Sequence, residues 1–122
     1  MKRDLDLIRT LLLKIEEHND PTPIYSERFY NLSDSPAIID FHLRLLLQAG
    51  FIEAYEIPVL NKNYPQYSVL CLTFNGCDYL DSIRDESVWA SIKSKLQSVS
   101  SSATFEVIKS LATSIILSKL NP

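Results

Sequence analysis

The sequence predicts an α+β fold, mainly helical with one small antiparallel β-hairpin. Three observations carry that expectation. Apolar residues recur at helical spacing over residues 3–18, an apolar run over 36–49 begins at a proline and stops at a glycine, and two strand-like runs flank a polar tip bounded by prolines. With 122 residues and 46% hydrophobic content, the chain has material for one core. A chain of this size buries only about two-thirds of its unfolded surface, so apolar faces on its last helices are expected to seek a partner subunit.

In the first helix Leu5, Ile8, Leu11, Leu12 and Ile15 share one face, with Arg9, Glu16 and Glu17 opposite. Leu13 falls on the polar side. Asn19-Asp20-Pro21-Thr22-Pro23 ends the helix, because proline restricts the residue before it and brings no N–H to the ladder. Ile24 to Leu32 reads as a short strand or an irregular piece. Ser35 followed by Pro36 is a helix start, the hydroxyl capping free amides and the proline presetting φ. That second helix runs to about Ala49, where Gly50 can turn left-handed and Phe51 can fold back onto Leu46.

Phe51 to Ile57 and Tyr67 to Leu72 form the hairpin, with Pro58 and Pro65 around the turn-prone Asn61-Lys62-Asn63. Thr73 caps a helix over roughly 74–84, and another over about 86–97 carries Val88, Trp89, Ile92 and Leu96. Ser98 to Ser102 is a serine-rich break before a last helix from about Ala103 to Leu120. A helix ending Ala49-Gly50-Phe51-Ile52 and running straight into a long-tipped hairpin is how winged helix-turn-helix domains join recognition helix to wing. The expected organisation is a winged-helix domain over 1–84 and a C-terminal helical extension over 85–122 that packs on it or mediates dimerisation.

Several blocks also resemble a bacterial and phage family catalogued as domain of unknown function 2513. They run from Met1 to Arg9, through Phe41-His42-Leu43-Arg44-Leu45-Leu46 and Ala49-Gly50-Phe51-Ile52-Glu53, to Leu72-Thr73-Phe74 with Gly76 and Tyr79-Leu80-Asp81. Ile83-Arg84-Asp85, Val88-Trp89, Glu106-Val107-Ile108-Lys109 and Leu111-Ala112-Thr113 continue the series. The resemblance implies a winged-helix fold and a prophage setting, and implies no activity, ligand or catalytic residue. Asn19 to Ser35 and the hairpin tip match least.

On a helical wheel the second helix leaves Ala37, Asp40, Arg44 and Gln48 facing out. In a major groove Arg44 would pair with guanine and Gln48 with adenine. Asp40, one turn before Arg44, is placed to form an ion pair that neutralises the only cation of the stripe. Lys62 is the tip's phosphate contact, and Tyr64 and Tyr67 are either stacking groups or cross-strand packing. The formal net charge is −3, and residues 1–84 hold 8 basic against 12 acidic side chains, so few phosphate contacts are on offer.

His42, on the apolar arc, reads as a core histidine bonded to a backbone carbonyl, and His18 as a helix-end residue. Asp78, Asp81 and Asp85 read as a solvated acidic face rather than a magnesium site. With two glycines in the chain there is no Gly-rich nucleotide loop, and GxSxG and HExxH are absent. Cys71 and Cys77 lack CxxC spacing and read as reduced, structural thiols. Charged residues break up the N-terminus and polar ones the stretch from Leu111 to Leu120, so neither a signal peptide nor a membrane span is expected. On the last helix Phe105, Ile108, Leu111 and Ile115 are the expected dimer or partner contact. The function these features predict is a cytoplasmic DNA-binding regulator acting as a homodimer, with no catalysis, cofactor or metal, and the resemblance implies that it is phage- or prophage-associated. The alternative is a winged-helix module that docks a host or phage protein without touching DNA.

Overall fold

A computed structural model describes residues 1–99 and 104–121. The serine break beyond Val99 and the expected helix start at Ala103 lie outside the described residues. Two compact units are present, Met1–Cys77 and Asp78–Pro122.

The first unit opens with α1 (Leu5–Glu17), which Asp4 caps by accepting the Leu7 N–H at 3.1 Å. Its apolar face, Leu7, Ile8, Leu11, Leu12 and Ile15, is buried. Of the two readings of the segment after α1, a short strand is borne out at its start, and a helical turn follows it. Ile24–Tyr25 form β1, and Ser26–Leu32 wind into a 3-10 helix. α2 spans Pro36–Gln48, and the hairpin consists of β2 (Ile52–Ile57) and β3 (Gln66–Leu72). β1 pairs antiparallel with β3, Ile24 opposite Val69 and Tyr25 opposite Ser68, so the expected two-stranded hairpin is in fact a three-stranded sheet of order β1-β3-β2. A bulge between Glu53 and Ala54 interrupts the β2–β3 ladder. The inner face of the sheet, with Ile24, Ile52, Tyr67 and Val69 buried, packs against α1 and α2.

Both ends of α2 have an identifiable cause. At its start the Ser35 hydroxyl makes no capping bond, contrary to expectation; Pro36 presets the first turn, and the Ile38 N–H bonds to the Ser35 carbonyl at 3.1 Å. At its end Gly50 adopts φ +76°. The Gly50 N–H then reaches the Leu47 carbonyl at 3.1 Å and the Phe51 N–H the Leu46 carbonyl at 2.9 Å, the two bonds of a Schellman stop.

The same corner receives the chain returning from the hairpin. Thr73 donates its N–H to the Phe51 carbonyl at 2.9 Å and its hydroxyl to the Gly50 carbonyl. Its Oγ1 also accepts the Gly76 N–H at 3.0 Å, capping α3 (Phe74–Ile83). Gly76 lies so close that a Cβ there would stand 2.0 Å from the Phe51 carbonyl oxygen.

In the second unit α4 (Glu86–Val99) packs on α5 (Phe105–Leu120). Asp85 caps α4 through the Val88 N–H at 2.9 Å, and Thr104 caps α5 through the Val107 N–H at 3.2 Å. Leu80, Ile83, Val88, Trp89, Ile92, Ile108 and Ala112 are buried. No helix among the described residues is long and apolar enough to cross a membrane.

The two glycines separate steric from conformational strain. Gly76→Ala forces backbone apart and is expected to destabilise by roughly 3 kcal/mol, the upper end for overpacking. Gly50→Ala meets nothing within 4 Å and suffers only the left-handed φ, about 1–2 kcal/mol. Urea unfolding monitored at Trp89 measures both, and equal losses would show that the approach of Gly76 to Phe51 is not tight.

Candidate functional site

The exposed face of α2 is narrower than the wheel predicts and differs at one position. Arg44 and Gln48 are exposed, with Ala37 and Phe41 half-buried beside them. These four follow i, i+4, i+7 and i+11 spacing, one line along a helix. Asp40 is not among the outward groups: it is 2% exposed. Its Oδ2 accepts the Tyr30 hydroxyl at 2.8 Å, so its partner is the 3-10 helix and not Arg44. Asp40 therefore neither neutralises Arg44, as its spacing predicts, nor stands on the surface as a base contact. Phe41 stays half-buried on that line, its ring edge-to-face with the His42 imidazole at 5.3 Å between centroids.

Asp40 belongs to an internal polar group joining the 3-10 helix, α2 and β3. Ser26, fully buried, donates to the Tyr67 carbonyl at 3.2 Å and accepts the Tyr67 N–H at 2.6 Å, which extends the β1–β3 pairing by one residue. Oδ1 of Asp40 is buried without a hydrogen-bond partner. Burial pushes the Asp40 carboxyl above the usual range, against the opposing influence of the Ser26 and Tyr30 hydroxyls and the Lys62 charge. Burial, and then the bond to Asp40, also pushes the Tyr30 phenol up. The Tyr67 phenol rises to about 12, through burial and the nearby Glu56 carboxylate.

His42 is a core residue, as its position on the apolar arc implies, and is 1% exposed. The Asp4 N–H donates to its Nε2 at 2.8 Å, which leaves the proton on Nδ1, directed to the Ile38 carbonyl at 2.7 Å. The imidazole thereby ties the start of α1 to α2. His18 at the end of α1 bonds to the Thr22 carbonyl at 2.8 Å.

At the hairpin tip Asn61 takes a left-handed φ of 63°, and the Lys62 N–H points to the Val59 carbonyl at 3.4 Å. Lys62 is exposed, with its ammonium 5.7 Å from the centre of the half-buried Tyr64 ring. Tyr67, by contrast, is 1% exposed and belongs to the core. Arg44, Gln48, Lys62 and Tyr64 thus keep surface positions, and Asp40 does not.

Other expectations also change. Ile108 and Ile115 are buried, and Phe105 and Leu111 half-buried, so this set does not form an open contact face on α5. Its exposed apolar residues are Leu117 and Leu120. Cys71 and Cys77 are free and exposed, unlike the packed thiols expected of structural cysteines. Asp81 pairs with Arg84 at 2.7 Å, and Asp85 caps a helix, its carboxyl held low by the Ser87 hydroxyl and the Val88 N–H. Among the described residues no cluster of three or more histidine, cysteine, aspartate or glutamate side chains is arranged to hold a metal ion.

The chain is thus an α+β protein whose second helix presents Arg44 and Gln48 on its exposed line and whose hairpin tip presents Lys62. It belongs to the DUF2513 family, described as "Hypothetical protein (DUF2513)", whose pattern matches residues 2–103. It is 36% identical over 118 residues to an uncharacterized protein of Haemophilus influenzae, an alignment covering 95% of this chain and 96% of the other. No solved structure matches.

The direction of the Asp40 shift sets a pH dependence. A carboxyl raised by folding contributes stability that is complete below its unfolded value, near 3.8, and is lost as pH rises through the folded value. Asp40→Asn keeps an acceptor for Tyr30 and removes that titration. Its urea midpoint relative to wild type is expected to climb as pH rises from about 4 to neutrality. A constant difference across that interval would mean that Asp40 titrates as it does in the unfolded chain.

Proposed function

We propose that this protein is a winged-helix regulator, of the prophage-associated kind its family resemblance implies, that reads duplex DNA with α2 in the major groove. The observation that carries the reading is the burial of Asp40, which leaves Arg44 as the one charge on the exposed line of α2. The order α1, β1, 3-10 helix, α2, β2, β3 with sheet order β1-β3-β2 supports it. Arg44 and Gln48 read base edges, Lys62 at the wing touches phosphate, and Tyr64 holds the Lys62 ammonium in place. The protein works as a cytoplasmic, cofactor-free binder and not as a catalyst. Leu117 and Leu120, 53% and 70% exposed, supply a self-association surface on α5 for a homodimer.

Residues 1–77 hold seven basic against ten acidic side chains, so sequence-independent attraction to DNA is weak and base contacts must provide the preference. Selection from a random duplex pool, followed by anisotropy titration at several salt concentrations, tests this. The expected result is an enriched site bound with a shallow salt slope. Arg44→Ala is expected to reduce preference for that site by about 5- to 100-fold, and Lys62→Ala to weaken all duplexes alike and flatten the slope by about one. Failure to enrich any sequence, with no binding at low salt, would remove DNA as the ligand.

A further inference from the structure

We propose a second binding surface, the outer face of the sheet, that docks an arginine-bearing segment of a protein partner between Tyr25 and Tyr55. Tyr25 on β1 and Tyr55 on β2 both stand opposite Ser68 of the central strand, so the three residues form one row across the sheet with their side chains on the same side. Both rings are open to solvent, Tyr25 at 50% and Tyr55 at 67%, whereas Ser68 between them is only 9% exposed. The row is therefore a slot with aromatic walls and a hydroxyl-bearing floor. This face points away from α1 and α2, which pack on the opposite side of the sheet.

Dimensions and charge select the occupant. Adjacent strands lie about 4.8 Å apart, which sets the two tyrosine Cα atoms roughly 10 Å apart. A planar group in contact with a ring on each side needs about 7 Å between the ring planes, two van der Waals separations. Guanidinium is planar, stacks on aromatic faces and carries the charge that their electron-rich surfaces attract. The counter-charge is already in place. Glu53, two residues before Tyr55 and so on the same side of β2, is exposed, with its Oε2 3.6 Å from the Cys71 sulfur. Glu53 is the strand carboxylate of this side, Glu56 lying on the other side opposite Tyr67, and the three strands contain no lysine or arginine, which favours a cationic peptide over a phosphate backbone. The ammonium of lysine has the charge but not the plane. This surface shares no residue with the α2 and hairpin-tip interface, so it stands whether or not that interface binds DNA.

The test is an NMR titration of the full chain with the peptide acetyl-Gly-Arg-Gly-Arg-Gly-amide, following the ring resonances of Tyr25 and Tyr55. Lysine-substituted peptide and oligothymidylate serve as competing probes. Saturable shifts in both rings are expected, with affinity about threefold or more above that for the lysine peptide. Tyr55→Ala and Glu53→Gln should each weaken binding by about threefold, and Arg44→Ala should leave it unchanged. Both replaced side chains are exposed, and an unchanged thermal transition verifies that the variants fold. The proposal is overturned by absence of ring shifts at millimolar peptide, by equal binding to Tyr55→Ala, or by preference for oligothymidylate.

Discussion

The first unit depends on one backbone corner, at Gly50 and Phe51. There the last carbonyls of α2 are satisfied, β2 begins, and the chain leaving β3 is anchored through Thr73 to the carbonyls of Gly50 and Phe51. Gly76 closes the arrangement from the far side of the hairpin. A left-handed residue at position 50 fixes the angle between helix and ribbon, while the missing side chain at position 76 lets α3 approach the same carbonyl. Local chain stiffness thus becomes long-range geometry: the hairpin cannot shift relative to α2 without breaking bonds at both of its ends.

That rigidity gives the buried polar group its meaning. Asp40 is held in the interior by a hydroxyl from the 3-10 helix, and Ser26 and Tyr67 stitch that helix to the sheet. A carboxyl in such a place is an expensive component, since one oxygen lacks a donor. Its effect on the surface is nonetheless favourable to anion recognition. An acid that would otherwise lie beside Arg44 is turned inward, and the outer line of α2 keeps its positive sign in a chain that is acidic overall.

The first unit consequently separates its charges by face. The line on α2 carries Arg44 and Gln48, with Lys62 at the hairpin tip, and the outer side of the sheet carries Glu53 beside exposed tyrosines. A polar, cationic line suits base edges and phosphate, whereas an aromatic and acidic one suits guanidinium. Two ligand classes of opposite charge are then compatible with one small unit.

Helix boundaries were legible in the sequence because their causes are local. Pro36, Gly50 and Thr73 act within a few residues of themselves, and apolar spacing marked most of the buried face of α1. The hairpin could be read for the same reason, from turn residues between alternating runs. Only the tertiary structure decided the rest. β1 exists because two residues after a proline-rich turn meet β3 more than forty positions away. Asp40 turns inward because Tyr30 supplies an internal partner that helical periodicity cannot foresee. Tyr67 lies inside while Tyr25 and Tyr55 lie outside, a distinction made by strand register and not by residue type. Capping and turn propensities are properties of neighbours along the chain, but burial and partnership are properties of neighbours in space, and a sequence specifies the second only through the fold that the first makes possible.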